Sequence, residues 1–138
     1  MLSKDPKMQA SSGLLVLFPL RLGLSCTLDP RYYNLVKAAL RAPWSVGVAG
    51  GRPNRAFYFC AYQMDDLFYL DPHCVRPALT GLPQAINSLE LHTDTVRSLP
   101  IRDIDSSVLL GFVLRDVDEV DEFTVWLEMF KDIFTIIK

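Results

Sequence analysis

From Pro43 to Cys74 the chain reads PWSVGVAGGRPNRAFYFCAYQMDDLFYLDPHC, and two apolar runs within it, parted by a short polar break, leave little freedom in how it folds. Ala56–Tyr62 is rich in aromatic residues, which suit a pleated surface. Leu67–Leu70 is the second run, and Gln63-Met64-Asp65-Asp66 between them predicts an antiparallel hairpin. Phe57, Phe59 and Ala61 point to one face of the first strand, and Tyr58, Cys60 and Tyr62 to the other. Neither set is polar, so the hairpin is expected inside a sheet, buried on both faces. The glycine turn Gly50-Gly51-Arg52-Pro53-Asn54 leads into it.

Asp71-Pro72-His73 follows directly from the second run. Proline disfavours the helical region for the residue before it. The tripeptide is therefore expected to be extended, with Asp71 and His73 on one side, about 6.6 Å apart along the chain. A carboxylate at that reach can fix the tautomer of an imidazole and support its cation, as the third group does beside a nucleophile and its base. Asp-Pro is also a common turn dipeptide, so the tripeptide by itself reads as a structural turn before it reads as a catalytic pair.

The words around it extend the pattern. Pro19-Leu20-Arg21-Leu22-Gly23-Leu24, Pro43-x-Ser45-x-Gly47-x-x-Gly50-Gly51-x-Pro53-Asn54, Tyr58-Phe59 and Tyr69-Leu70-Asp71-Pro72-His73 together resemble the autophagin family from about Leu14 to Phe130. These are papain-like cysteine proteases that process the ubiquitin-like modifier of autophagy. The resemblance implies an α+β fold, the sheet-bearing C-terminal part of a papain-like domain, over residues 14–138. It implies His73 as general base, Asp71 as its orienter, and a loop of Val48, Ala49, Gly50, Gly51 and Arg52 as a movable cover over the substrate's C-terminal tail. The implied reaction is cleavage after a C-terminal glycine of the modifier and removal of phosphatidylethanolamine from it, in the cytoplasm and without a cofactor.

A net charge of -2 and an isoelectric point near 5.6 give no reason to expect nucleic acid or an anionic membrane as partner. Half the residues are hydrophobic, an excess that points to a partner surface. Cys26, Cys60 and Cys74 leave one thiol unpaired in any disulfide scheme and suit a reducing compartment. Scattered cysteines and histidines give no metal site, and Gly47-x-x-Gly50-Gly51 lacks the ending of a phosphate loop.

In chain order, residues 1–13 read as a loose end. Leu14–Leu24 is apolar but too short for a membrane span and interrupted by Pro19 and Arg21, which speaks against a secretory signal, and Leu14–Leu20 reads as a buried strand. Asp29 and Pro30 open a helix carrying Tyr32, Leu35, Val36, Ala39 and Leu40 on one stripe, and Pro43 ends it. Trp44 reads as core or as a partner contact. Val75–Pro100 is a long connection with room for a short strand, and its His92 reads as a loop histidine. Val108–Leu114 is a strand apolar on both faces, and Asp118 caps a final helix with Phe123, Trp126, Leu127, Phe130, Ile133, Phe134 and Ile137 on one stripe.

The nucleophile is the missing part. A thiol protease needs a thiolate within hydrogen-bond reach of its histidine, favoured by a helix N-terminus. Cys74 should point away from His73, Cys60 should lie near Tyr69, and both read as core thiols. Cys26 follows the Pro-Leu-Arg-Leu-Gly-Leu word, whereas the family's nucleophile precedes it in a Trp-Gly-Cys segment. The expectation is a chain that holds base and orienter, lacks the nucleophile, is inactive alone, and needs an N-terminal half as partner. The alternative is a non-catalytic module that binds the ubiquitin-like modifier.

Overall fold

The computed structural model describes residues 13–73, 75 and 93–134. Six strands, β1 (Leu14–Arg21), β2 (Ser45–Arg52), β3 (Arg55–Gln63), β4 (Asp66–Leu70), β5 (Arg97–Pro100) and β6 (Ser107–Leu114), form one sheet in the order β1-β6-β2-β3-β4-β5. All neighbouring pairs are antiparallel. Helix α1 (Tyr33–Arg41) lies between β1 and β2 in sequence, and α2 (Val117–Glu128) follows β6. This is the α+β architecture expected, with the predicted hairpin as β3 and β4 and the short strand in the long connection as β5.

Register and burial together show which face carries the core. Leu110 of β6 pairs with Val48 of β2, and Val48 with Phe59 of β3; all three are fully buried. With Phe57, Leu67, Phe112, Leu35, Val36 and Ala39 they belong to one cluster, so α1 covers this face. The face is also covered by α2, whose Phe123 packs on Phe112 at 4.9 Å and whose Trp126 packs on it at 5.3 Å. Trp44 is buried against Phe123, with ring centroids 5.7 Å apart, and is a core residue.

The opposite face differs from expectation. Tyr58 and Cys60 are exposed, so β3 is buried on one face only. Leu14–Leu20 is likewise not a buried strand: β1 forms an edge of the sheet and alternates exposed with half-buried residues after Leu15. Leu15 (55 % exposed), Leu17 (49 %), Val46 (37 %) and Tyr58 (41 %) lie on this second face, and among the described residues no helix packs against it. An apolar strand shows only that two faces could be buried. Cover decides which one is.

At the helix ends local chemistry sets the bounds. Asp29 accepts a hydrogen bond from the Arg31 backbone N–H and opens a turn of 3-10 helix, Pro30–Tyr32, that runs into α1. In α2 the cap is Asp116 and not Asp118: Asp116 is extended and its Oδ1 accepts from Glu119 N at 2.9 Å, while Asp118 already lies in the first turn. The helix also ends at Glu128, so Phe130, Ile133 and Phe134 reach the core from the turns that follow rather than from a continuing helical stripe. Ile137, Cys74, His92 and residues 1–12 lie outside the described residues.

Candidate active site

Strand β4 ends at Leu70, and the chain turns at once through Pro72 and His73. The tripeptide is therefore not extended. Asp71 Oδ1 accepts the backbone N–H of His73 at 2.9 Å, the short-range bond by which aspartate makes a turn of its own, and closing that turn brings the imidazole onto the same oxygen. His73 Nδ1 stands 2.7 Å from Asp71 Oδ1. The carboxylate and imidazole meet as expected, by a turn rather than along a strand.

The surroundings separate the two groups. Asp71 keeps 8 % of its side-chain surface exposed and His73 46 %. The Asp71 carboxyl is held below the usual carboxylate range by the His73 backbone N–H first and the His73 ring second, with Arg55 adding a smaller attraction. One edge of the imidazole is walled by Phe57, 6.4 Å away at 82°, and Phe57 in turn packs on Tyr69 at 4.3 Å. With Nδ1 turned to the carboxylate, Nε2 is the nitrogen through which His73 would exchange a proton with a reacting group.

The second carboxylate oxygen has a partner that sequence reading missed. Arg97 Nη1 lies 3.4 Å from Asp71 Oδ2. Arg97 opens β5 and pairs with Tyr69, two residues before Asp71, so strand register delivers it across 26 positions of sequence. Arg97-Ser98-Leu99-Pro100 has too few residues to show a period, and no local signal marks it.

Val48–Arg52 is not a loop. These residues form the second half of β2, laddered to β3 on one side and, through Val48 and Ala49, to β6 on the other. At Gly51, with φ of +157°, an added Cβ would stand 1.8 Å from the carbonyl oxygen of Arg55. The glycines here serve close strand approach, and the reversal falls one step later, at Pro53-Asn54, where Asn54 takes φ of +67°.

Neither described cysteine is a core thiol or a partner of His73. Cys60 sits at the register shift between Phe59 and Ala61, exposed, with its Sγ 3.7 Å from the carbonyl of Phe68. Cys26 is exposed in the segment after β1, where its carbonyl accepts from Ser106 N. Among the described residues no hydrogen bond joins His73 to a sulfur.

Comparison with known proteins places the chain in a family. The model of the peptidase C54 catalytic domain matches residues 2–125. Cysteine protease atg4 of Emericella nidulans is 44% identical over 115 residues, covering 79% of this chain and 28% of that protein. Probable cysteine protease ATG4 of Coccidioides immitis is 42% identical over 109 residues, 76% of this chain and 25% of its own length. Cysteine protease ATG4 of Medicago truncatula is 40% identical over 112 residues, 80% of this chain and 23% of its own length. The chain thus spans under a third of the length of these curated relatives.

Proposed function

This chain belongs to the peptidase C54 family, and from that premise we propose that it contributes the histidine and the aspartate of a thiol protease acting on a ubiquitin-like modifier of autophagy. The observation that carries the reading is the 2.7 Å approach of His73 Nδ1 to Asp71 Oδ1, a contact that holds the ring in one tautomer. The relatives, named as cysteine proteases or probable cysteine proteases, support the chemistry.

In the proposed reaction His73 takes the thiol proton of a cysteine that is none of those described here. The thiolate attacks the carbonyl of the modifier's C-terminal glycine, and a tetrahedral oxyanion forms. As it collapses the C–N bond breaks and the imidazolium returns its proton to the departing amine. That amine is the next residue of a precursor or the ethanolamine nitrogen of a phosphatidylethanolamine conjugate. Water, deprotonated by His73, then hydrolyses the thioester and frees both glycine carboxylate and thiol. Asp71 remains ionised throughout and stabilises the imidazolium. The nucleophile would lie on a partner segment completing the papain-like domain, and the free thiols of Cys26 and Cys60 suit a cytoplasmic setting.

Alanine substitution in the complete protease tests the assignment. His73→Ala should reduce cleavage of a modifier precursor to background, and Asp71→Ala should cost about 10² to 10⁴ in rate, both with unchanged circular dichroism. His92→Ala should stay close to wild type. Near-normal cleavage by a folded His73→Ala enzyme would overturn His73 as the base, whereas a complete wild-type protein that binds the modifier and never cleaves it would leave the non-catalytic module.

A further inference from the structure

Asp71 divides its carboxylate between two partners. Oδ1 takes both the backbone N–H and the ring nitrogen of His73, and Oδ2 faces Arg97. From this division we infer that Arg97 is a positioning residue for the Asp71–His73 pair, fixing the carboxylate so that Oδ1 stays on Nδ1 and Nε2 stays free to exchange protons. The inference rests on the assignment of His73 and Asp71 given above.

Three features carry it. The first is register: Tyr69 pairs with Arg97, Phe68 with Ser98 and Leu67 with Leu99, which is buried, so the backbone from which Arg97 reaches out is anchored in the core. The second is charge. Among the described residues, the positive groups at Asp71 besides His73 are Arg97 in contact with Oδ2 and Arg55 at longer range. The third is the division itself: Arg97 reaches Oδ2 through one nitrogen, Nη1 at 3.4 Å, while His73 occupies Oδ1, so the two carboxylate oxygens are held from different sides. Without Arg97, Oδ2 would have no hydrogen-bond partner among the described residues, in a side chain only 8 % exposed, and the carboxylate could turn its plane away from the ring. A free imidazole carries its proton on either nitrogen; the proton stays on Nδ1 because the carboxylate stays beside it.

The prediction is read on the 138-residue chain itself, whose two histidines keep the spectrum simple. Imidazole ¹⁵N shifts are recorded above the ordinary histidine pKa of about 6.5, with His73→Ala used for assignment. In the wild type His73 should be predominantly the Nδ1–H tautomer. Arg97→Ala should move it toward the Nε2–H form, in the direction Asp71→Asn moves it, and Arg97→Lys should restore at least half of the difference. A tautomer ratio unchanged by Arg97→Ala but shifted by Asp71→Asn would overturn the role of Arg97 and leave the Asp71–His73 pair standing. A ratio indifferent to both substitutions would remove the pair as well, and with it the catalytic reading.

Discussion

At the scale of single residues, Asp71 couples the site to pH. Its carboxyl is lowered in the folded state, chiefly because the His73 backbone N–H bonds the ionised form. A lowered carboxyl contributes stability that is present above the unfolded value, near 3.8, and is lost as pH falls through the folded one. Asp71→Asn should therefore be less stable than wild type at about pH 5 and above, and the margin should shrink below about pH 4. Urea unfolding of both proteins across that range is the measurement; Asp29, lowered in the same way by Arg31, is common to both and cancels. Gly51 belongs at this scale too. A movable cover would let Gly51→Val impair cleavage more than stability, but the carbonyl of Arg55 at 1.8 Å from the added carbon makes the position structural. Gly51→Ala should lower the melting temperature by several degrees, a loss visible with no substrate present.

At the scale of elements, α2 shows local and tertiary terms acting together. Asp116 caps Glu119, and Glu119 reaches back to the Arg115 backbone N–H at 2.6 Å, so the two acids satisfy donors on either side of the helix start. Asp116→Ala should cost about 1 kcal/mol, whereas Asp118→Ala, which removes no cap, should be nearly neutral in the same denaturant titration. The larger contribution comes from Phe123, buried against Phe112, Trp44 and Trp126. Its truncation to alanine should cost about 3–5 kcal/mol. The cap locates the helix; the aromatic cluster fastens it to β6.

At the scale of the whole molecule the sheet is covered on one face and open on the other among the described residues. The open face has a continuous apolar ridge. A Cβ on Gly111 would meet Val46 at 2.7 Å and Leu17 at 3.5 Å, and one on Gly47 would meet the Tyr58 ring at 2.6–2.7 Å, so these side chains close over the glycines of neighbouring strands. Exposed contiguous apolar surface of this kind drives association. The isolated chain should bind a hydrophobic dye and sediment as more than a monomer. Leu17→Lys, on an edge strand where lysine is well tolerated, should weaken both effects without lowering the melting temperature. A dye-silent monomer in sedimentation would show that the face is covered.

What the sequence by itself determined is whatever depends on neighbours within a few positions. The aromatic run of β3 and the apolar run of β4, the helix opened at Asp29, and the meeting of Asp71 with His73 across one proline are all of that kind. Only the tertiary structure decided the rest. Val48–Arg52 carries two glycines and no side-chain period, so its being a strand follows from the ladders that β3 and β6 offer on either side. Alternation in β1 and β3 defines two faces, but the choice of the buried one belongs to α1 and α2, which are remote in sequence. Arg97 reaches Asp71 because a strand register spans 26 residues, and a register is a property of two strands at once, invisible in either alone.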